Sequence, residues 1–185
     1  MALRPILTEP NKILREKSIK VEQVDENLQK LMDDMLETMY AAPGIGLAAI
    51  QIGVPKRVIV MDIKWRDKSE STKDEKQVER KNPMYFVNPE IIEKSTNNST
   101  YEEGCLSVPG QFAEIDRSDK CYVKYLDYHG QPKEIKAEGM LATCIQHEID
   151  HLEGILFIDY LSKLKKSMII KKLSKHKKEI ERIVV

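Results

Sequence analysis

The sequence predicts a single α+β domain. Three observations point to it: a length of 185 residues, apolar residues at helical spacing near the start and at the end of the chain, and short β-branched or alternating runs between them. A chain of this length can bury a proper core without disulfides. The sequence has no repeat and no composition break that would divide it, so one domain is expected over 1–185.

Residues 1–24 mix prolines, charges and isolated apolar residues without a sustained period, which predicts an extended arm lying on the body. Asp25 is placed to cap a helix. Leu28, Leu31, Met32, Met35, Leu36, Met39 and Tyr40 then follow at spacings of three and one, an amphipathic stripe packed on a core and ended by Pro43. In Gly44-Ile45-Gly46-Leu47-Ala48-Ala49-Ile50-Gln51 the Gly-x-Gly lacks the third glycine of a dinucleotide loop and follows a helix instead of a strand. It predicts a tight turn bordering a ligand groove, with Gln51 offering an amide just beyond.

Arg57–Ile63 reads as a buried strand. Lys64–Asn82 carries seven basic and five acidic residues among nineteen, a charged surface loop. Strand character resumes at Tyr85–Val87 and Ile91–Ile92, with Pro89 limiting regular pairing. Further on, Lys120–Tyr128 and Lys133–Ala137 form a hairpin around His129-Gly130. A helix is expected from Gly139 to Gly154, a buried strand at Ile155–Tyr160, and a basic helix over 161–185 with Leu164, Met168, Ile169, Leu173, Ile180 and Ile183 on its packed stripe.

Lys+Arg and Asp+Glu number 30 each, but the charges are unevenly placed. Leu161–Val185 carries +7 and the rest of the chain −7. An acidic body with a basic tail fits either a polyanionic partner or a solvated helix face. Three cysteines, Cys105, Cys121 and Cys144, are too few for a disulfide scaffold and point to a reducing compartment. The opening residues lack the apolar core of a signal peptide, and no run approaches the roughly 20 residues of a membrane span. A soluble intracellular protein is expected.

The chemistry concentrates in Gln146-His147-Glu148-Ile149-Asp150-His151. On a helix His147 and His151 stand one turn apart on one face, close enough to share a metal ion, while Glu148 flanks it as a proton carrier. Met140, Thr143 and Cys144 continue the same stripe toward the N-terminal end and should line a pocket beside the metal. Two histidines lack a third ligand. Cys105, set in Glu102-Glu103-Gly104-Cys105-Leu106-Ser107-Val108-Pro109-Gly110 between a glycine and a Pro-Gly turn, can supply it as an exposed thiolate. Cys121 reads as an ordinary strand cysteine; His129 and His176 read as surface residues. Three protein ligands leave a position open for water, the mark of a catalytic site. Gln51 and a backbone N–H near Cys105 could stabilise a developing oxyanion. Thiolate plus two imidazoles suits iron, zinc, nickel or cobalt alike.

Three segments together resemble the peptide deformylase family: Gly44–Gln51, Glu103-Gly104-Cys105-Leu106-Ser107, and Gln146–His151. The resemblance implies strands wrapped around the histidine-bearing helix with a C-terminal helix outside. It implies one divalent metal ion, ferrous iron in the cell, on Cys105, His147 and His151, with Zn2+, Ni2+ or Co2+ as alternatives in purified protein. Glu148 would be the general acid/base, and Gln51 with the N–H of Leu106 would polarise the formyl oxygen. Gly44, Ile45 and Gly46 would pair with an extended substrate, Glu103 and Gly104 would border it, and Met140, Thr143 and Cys144 would shape the methionine pocket. The implied partners are N-formylmethionyl nascent chains and, through the basic tail, the ribosome, with no DNA, no membrane and a monomeric cytoplasmic enzyme. Phe112 stands where some relatives have an arginine, so that contact is not carried over. An HExxH metallopeptidase and a catalytically silent binder of nascent chains are the competing readings.

Overall fold

The computed structural model describes residues 2–65 and 81–183, with side chains through Lys175. The core of the expected charged loop, 66–80, lies outside the described residues, as does the His176 side chain. The architecture is α+β: three helices with antiparallel sheets. Strands β1 (Gly46–Ala48), β2 (Val58–Met61), β3 (Met84–Lys94), β6 (Lys120–Leu126) and β7 (Pro132–Glu138) form one sheet in the order β1-β2-β3-β6-β7; β4 (Asn98–Cys105) and β5 (Val108–Ser118) form a separate hairpin. Helix α1 spans Glu26–Ala41, α2 Gly139–Leu152 and α3 Lys163–Ile183. Among the described residues no helix is long and apolar enough to cross a membrane.

Helix α1 starts as its sequence expects, with the Asp25 carboxylate accepting from Leu28 N at 2.8 Å. Leu28, Met32, Met35 and Met39 bury their side chains against Leu47, Val58, Val60 and Val87 of the sheet. The same helix also buries Asp34 and Thr38, polar groups that need partners. The N-terminal arm supplies them: Ala2 N donates to Asp34 Oδ1 at 2.8 Å, Arg4 to Asp34 Oδ2 at 3.1 and 2.9 Å, and Arg4 N to Thr38 Oγ1 at 3.0 Å. The arm is tied down by these hydrogen bonds as well as by apolar contact through Ile6, Leu14, Val21 and Val24, and a short 3-10 turn at Lys12–Arg15 interrupts its extended course. The hydrogen bond from Ala2, with Arg4 beside it, holds the Asp34 carboxyl below its ordinary value against the opposing effect of burial. Its contribution is therefore present above the normal carboxylate range and lost as pH falls through the lowered value. Asp34→Ala is expected to cost about 1–3 kcal/mol in urea melts at neutral pH, with the gap to the parent closing in acid.

Strand β3 joins the two short runs read on either side of Pro89. Its pairing with β6 slips between Val87 and Glu90, where Asn88 adopts φ 51°. Asparagine tolerates that conformation, and its amide closes two 2.8 Å hydrogen bonds with the backbone of Val21. The β6–β7 hairpin turns at Asp127, whose carboxylate accepts from His129 N and Gln131 N at 2.9 Å each. Cys121 is buried on β6, and His129 is exposed in the turn.

Several expectations need correction. The stretch 98–118 is a long hairpin, of which only the central motif stands out in the sequence. Its turn is Leu106-Ser107, and Pro109-Gly110 belong to β5 instead of a turn. Ile155–Tyr160 is not a strand: Phe157–Tyr160 make a 3-10 turn, with Asp159 Oδ2 accepting from Leu156 N at 2.8 Å. A short buried apolar run carries no period that separates strand from helix, and that local hydrogen bond decides the matter. On α3 the inward residues are Ile169, Ile170 and Leu173, packed with Val108, Ile115, Leu156, Phe157 and Ile158, whereas Leu164 and Met168 are exposed. Leu164 and Met168 therefore leave the expected stripe, while the side chains of Ile180 and Ile183 lie outside the described residues.

Candidate active site

Three segments distant in sequence meet at one cleft. The last residue of β4 brings Cys105, the buried face of α2 brings His147, Glu148 and His151, and a 3-10 turn at Ala49–Ile52 brings Gln51. Helix α2 packs on β1, β2, β6 and β7 of the large sheet and on both strands of the hairpin, which fixes the histidines between the two. Its C-terminal end is set by Gly154 at φ +74°, where a Cβ would lie 2.5 Å from the Arg15 carbonyl oxygen.

Cys105, His147 and His151 present ligand atoms that all lie within 4.8 Å of one another, a group that could hold a metal ion. Cys105 Sγ stands 3.2 Å from His151 Nε2 and accepts from Ser107 N at 3.4 Å and Gln51 Nε2 at 3.6 Å. Burial works against charge on His147, yet Cys105 and Glu103 outweigh it and lift its pKa well above the usual value. Burial, with His147 and Arg117 nearby, holds His151 well below its usual value. One thiolate and two imidazoles fit a divalent ion of the iron or zinc type.

Glu103 is turned into the protein. Oε1 accepts from Arg117 Nε at 2.5 Å, and Oε2 from Arg117 Nη2 at 3.0 Å, with His147 Nδ1 2.8 Å away. Contact at Nδ1 leaves His147 Nε2 as the free ligand atom, the arrangement by which an outer carboxylate orients a metal-binding histidine. Arg117 also reaches Asp150 Oδ2 at 2.7 Å. Burial opposes ionisation of Glu103, but His147 and Arg117 hold its carboxyl below the ordinary range.

Glu148 is almost fully buried, and among the described residues its Oε2 has no protein hydrogen-bond partner. Burial is the main influence raising its carboxyl to about 7. It lies against the backbone of Gly46: a Cβ there would overlap Glu148 Oε1 and stand 2.8 Å from Cδ. Glycine at this position is thus required by the carboxylate. Gly46→Ala is expected to lower kcat by about 100-fold, through displacement of Glu148 by roughly an ångström, while metal content is unchanged.

Gln51 Oε1 accepts from Ala48 N at 2.8 Å, which fixes the amide orientation and points Nε2 at Ser107 Oγ, 3.1 Å away, and at Cys105. A cavity of about 540 Å³ opens beside these groups. It is lined by Gly44, Ile45, Gly46, Gln51, Glu103, Gly104, Cys105, Leu106, Met140, Thr143, Cys144, His147 and Glu148, so that of the site residues named from the sequence only His151 lies behind its wall. Burial and the nearby Glu148 push the Cys144 thiol well above its usual value and keep it neutral. Tyr101 and the exposed Phe112 stand on the same wall without having been singled out as site residues. Ser107, Arg117 and Asp150 were likewise given no role. One signal was available for Arg117: Ala113, Ile115 and Arg117 alternate inward along β5, which puts an arginine in a buried row.

An antiparallel α+β frame with a thiolate, two imidazoles and a buried carboxylate at one cleft defines a hydrolase that works with a single metal ion. A model of the polypeptide deformylase family matches residues 3–167, and the chain belongs to that family. It is 64% identical to the peptide deformylase of Pelagibacter ubique, over 100% of both chains, and 56% identical to that of Phenylobacterium zucineum, over 96% of this chain and 99% of that one. Among solved structures, the Ehrlichia chaffeensis peptide deformylase in complex with actinonin superposes with a TM-score of 0.85 at 45% identity, covering 95% of this chain and 98% of that one. The Legionella pneumophila enzyme gives 0.84 at 46% identity, covering 98% and 99%.

Proposed function

We propose that this chain removes the formyl group from N-formylmethionyl peptides, releasing formate and a free α-amine. The observation that supports this best is the convergence of Cys105, His147 and His151 beside an ionisable Glu148 and the oriented Nε2 of Gln51. Cys105, His147 and His151 would hold the ion, Fe2+ in the cell and Zn2+, Ni2+ or Co2+ on replacement. When bound, that ion acidifies water and polarises the formyl carbonyl. Glu148 takes a proton as attack begins and returns it to the leaving amine. Gln51 Nε2 and the N–H of Leu106 donate to the formyl oxygen as charge builds on it. Gly44, Ile45 and Gly46 pair with the extended substrate, Glu103 and Gly104 border it, and Ile45, Met140, Thr143 and Cys144 enclose the methionine side chain.

In this reading 1–185 is one catalytic domain built around the histidine-bearing helix, a monomer acting on nascent chains in the cytoplasm. The decisive assay is formate release from formyl-Met-Ala-Ser by anaerobic, metal-replete protein. No release with Cys105 intact would end the proposal, and cleavage of internal peptide bonds would favour a metallopeptidase instead.

The basic tail is proposed to contact the ribosome. Truncation after Tyr160 is a poor test, because Leu173, Ile169 and Ile170 belong to a core cluster. Replacing the exposed Lys163, Lys165, Lys171 and Lys172 with glutamine leaves that packing in place. The substituted protein is expected to lose salt-sensitive co-sedimentation with ribosomes, and equal co-sedimentation would leave α3 a packing element only.

A further inference from the structure

We infer that Tyr160 is a positioning residue for the metal site, acting through Asp150, Arg117 and Glu103 on His147. The inference rests on the metal-site reading above. Tyr160 ends the 3-10 turn Phe157–Tyr160 and is half-exposed. Its hydroxyl donates to Asp150 Oδ2 at 2.8 Å, the same oxygen that accepts from Arg117 Nη1 at 2.7 Å. Its ring lies under the Arg117 guanidinium, with Cζ 4.9 Å from the centroid. Tyrosine therefore holds Arg117 in two ways, directly by its face and indirectly by fixing the carboxylate that Arg117 grips.

The guanidinium has little remaining freedom. Its Nε and Nη2 clasp both oxygens of Glu103, and Glu103 Oε2 meets His147 Nδ1 at 2.8 Å. A planar fork transmits orientation: if Arg117 rotates, the Glu103 carboxylate turns with it and the imidazole loses its fixed contact. The same 3-10 turn bears on His147 from a second side, because the Phe157 ring stacks with the imidazole at 6.3 Å and 23°. One short turn between α2 and α3 thus sets the ring of a ligand histidine both by packing and by hydrogen bonds. A phenol whose only task was to anchor α3 would have no need to share an oxygen with Arg117.

The test uses Tyr160→Phe, which keeps the ring and removes the hydroxyl, in the full-length protein loaded with Co2+. Release of Co2+ to a chromogenic chelator is expected to be about 3–10-fold faster than in the parent, less than the 10–100-fold typical of a direct outer-shell partner. The visible Co2+ absorption should shift, and kcat should fall with KM unchanged. The melting temperature should move by less than about 3 °C, corresponding to under roughly 1 kcal/mol. Asp150→Asn breaks the next link and should give a larger effect in the same direction. The double variant should be no worse than Asp150→Asn alone, since both act along one path. Unchanged Co2+ release and spectrum in Tyr160→Phe, or additive effects in the double variant, would overturn the inference. A parent protein that binds no Co2+ would instead overturn the metal-site reading, so the two failures are told apart.

Discussion

Glu148→Gln is expected to lose at least about 100-fold in kcat on a formylated peptide while retaining its metal. The amide matches the carboxylate in size, so the close packing against Gly46 survives. It cannot accept the proton that attack on the formyl carbon releases. Cys105, His147 and His151 are untouched, so metal content measured after gel filtration should match the parent. Burial raises the Glu148 carboxyl to about 7. A cation on the neighbouring ligands favours the ionised form and draws that value down. The ionised form is the active one. The acid limb of the parent's kcat/KM should therefore have its midpoint below about pH 7, with activity rising as pH increases through it. Near-normal turnover in Glu148→Gln would reassign the proton carrier.

Arg117→Ala is expected to produce the largest loss of stability, about 3–5 kcal/mol at neutral pH. Arg117 is buried between Glu103 and Asp150, and its removal leaves the buried Glu103 carboxylate with His147 as its remaining partner. Stranding a buried charge is costlier than losing an exposed pair. The pH dependence has a definite sign. In the parent, the folded-state value of Glu103 is lowered, so its contribution is present above the ordinary glutamate value and lost as pH falls through the lowered one. In the variant the lowering by Arg117 is gone while that by His147 stays, so the carboxyl takes up a proton at a higher pH than in the parent, and the penalty shrinks on acidification. Urea melts at pH 7 and pH 5 should show the difference between parent and variant narrowing. A difference that does not change with pH would locate the cost in lost packing instead.

The parts of the fold that were legible in the sequence are those where burial writes a period. The α1 stripe from Leu28 to Tyr40, its Asp25 cap and the β6–β7 hairpin all carry one. The β4–β5 hairpin does not. Burial does alternate along Asn98–Cys105, but the inward positions include Ser99 and Glu103, so polarity does not follow it, and hydropathy alternation leaves no trace of the strand in the sequence. Ile155–Tyr160 fails for the opposite reason: its first four residues are an unbroken apolar run with no period, and Asp159 then closes a 3-10 turn back onto Leu156 N. At the site, residue type and spacing led to Cys105, His147 and His151, which do come together, because HExxH and a cysteine have narrow chemistry; the substrate-side residues rested on the family resemblance. The groups behind them were not legible. Arg117 and Asp150 act by where their neighbours place them, and a salt bridge between residues 33 positions apart has no local signature.

The N-terminal arm reaches further into the chemistry than its place at the margin suggests. Leu7 N donates to the Gln51 carbonyl at 2.7 Å, and Glu9 N donates to the Ser107 carbonyl at 2.8 Å. Gln51 belongs to the 3-10 turn beside β1 and Ser107 to the turn of the hairpin, and their side chains meet at 3.1 Å. The arm therefore stitches together the two segments that carry Gln51 and Cys105, so that the first residues of the chain hold the amide against the sulfur.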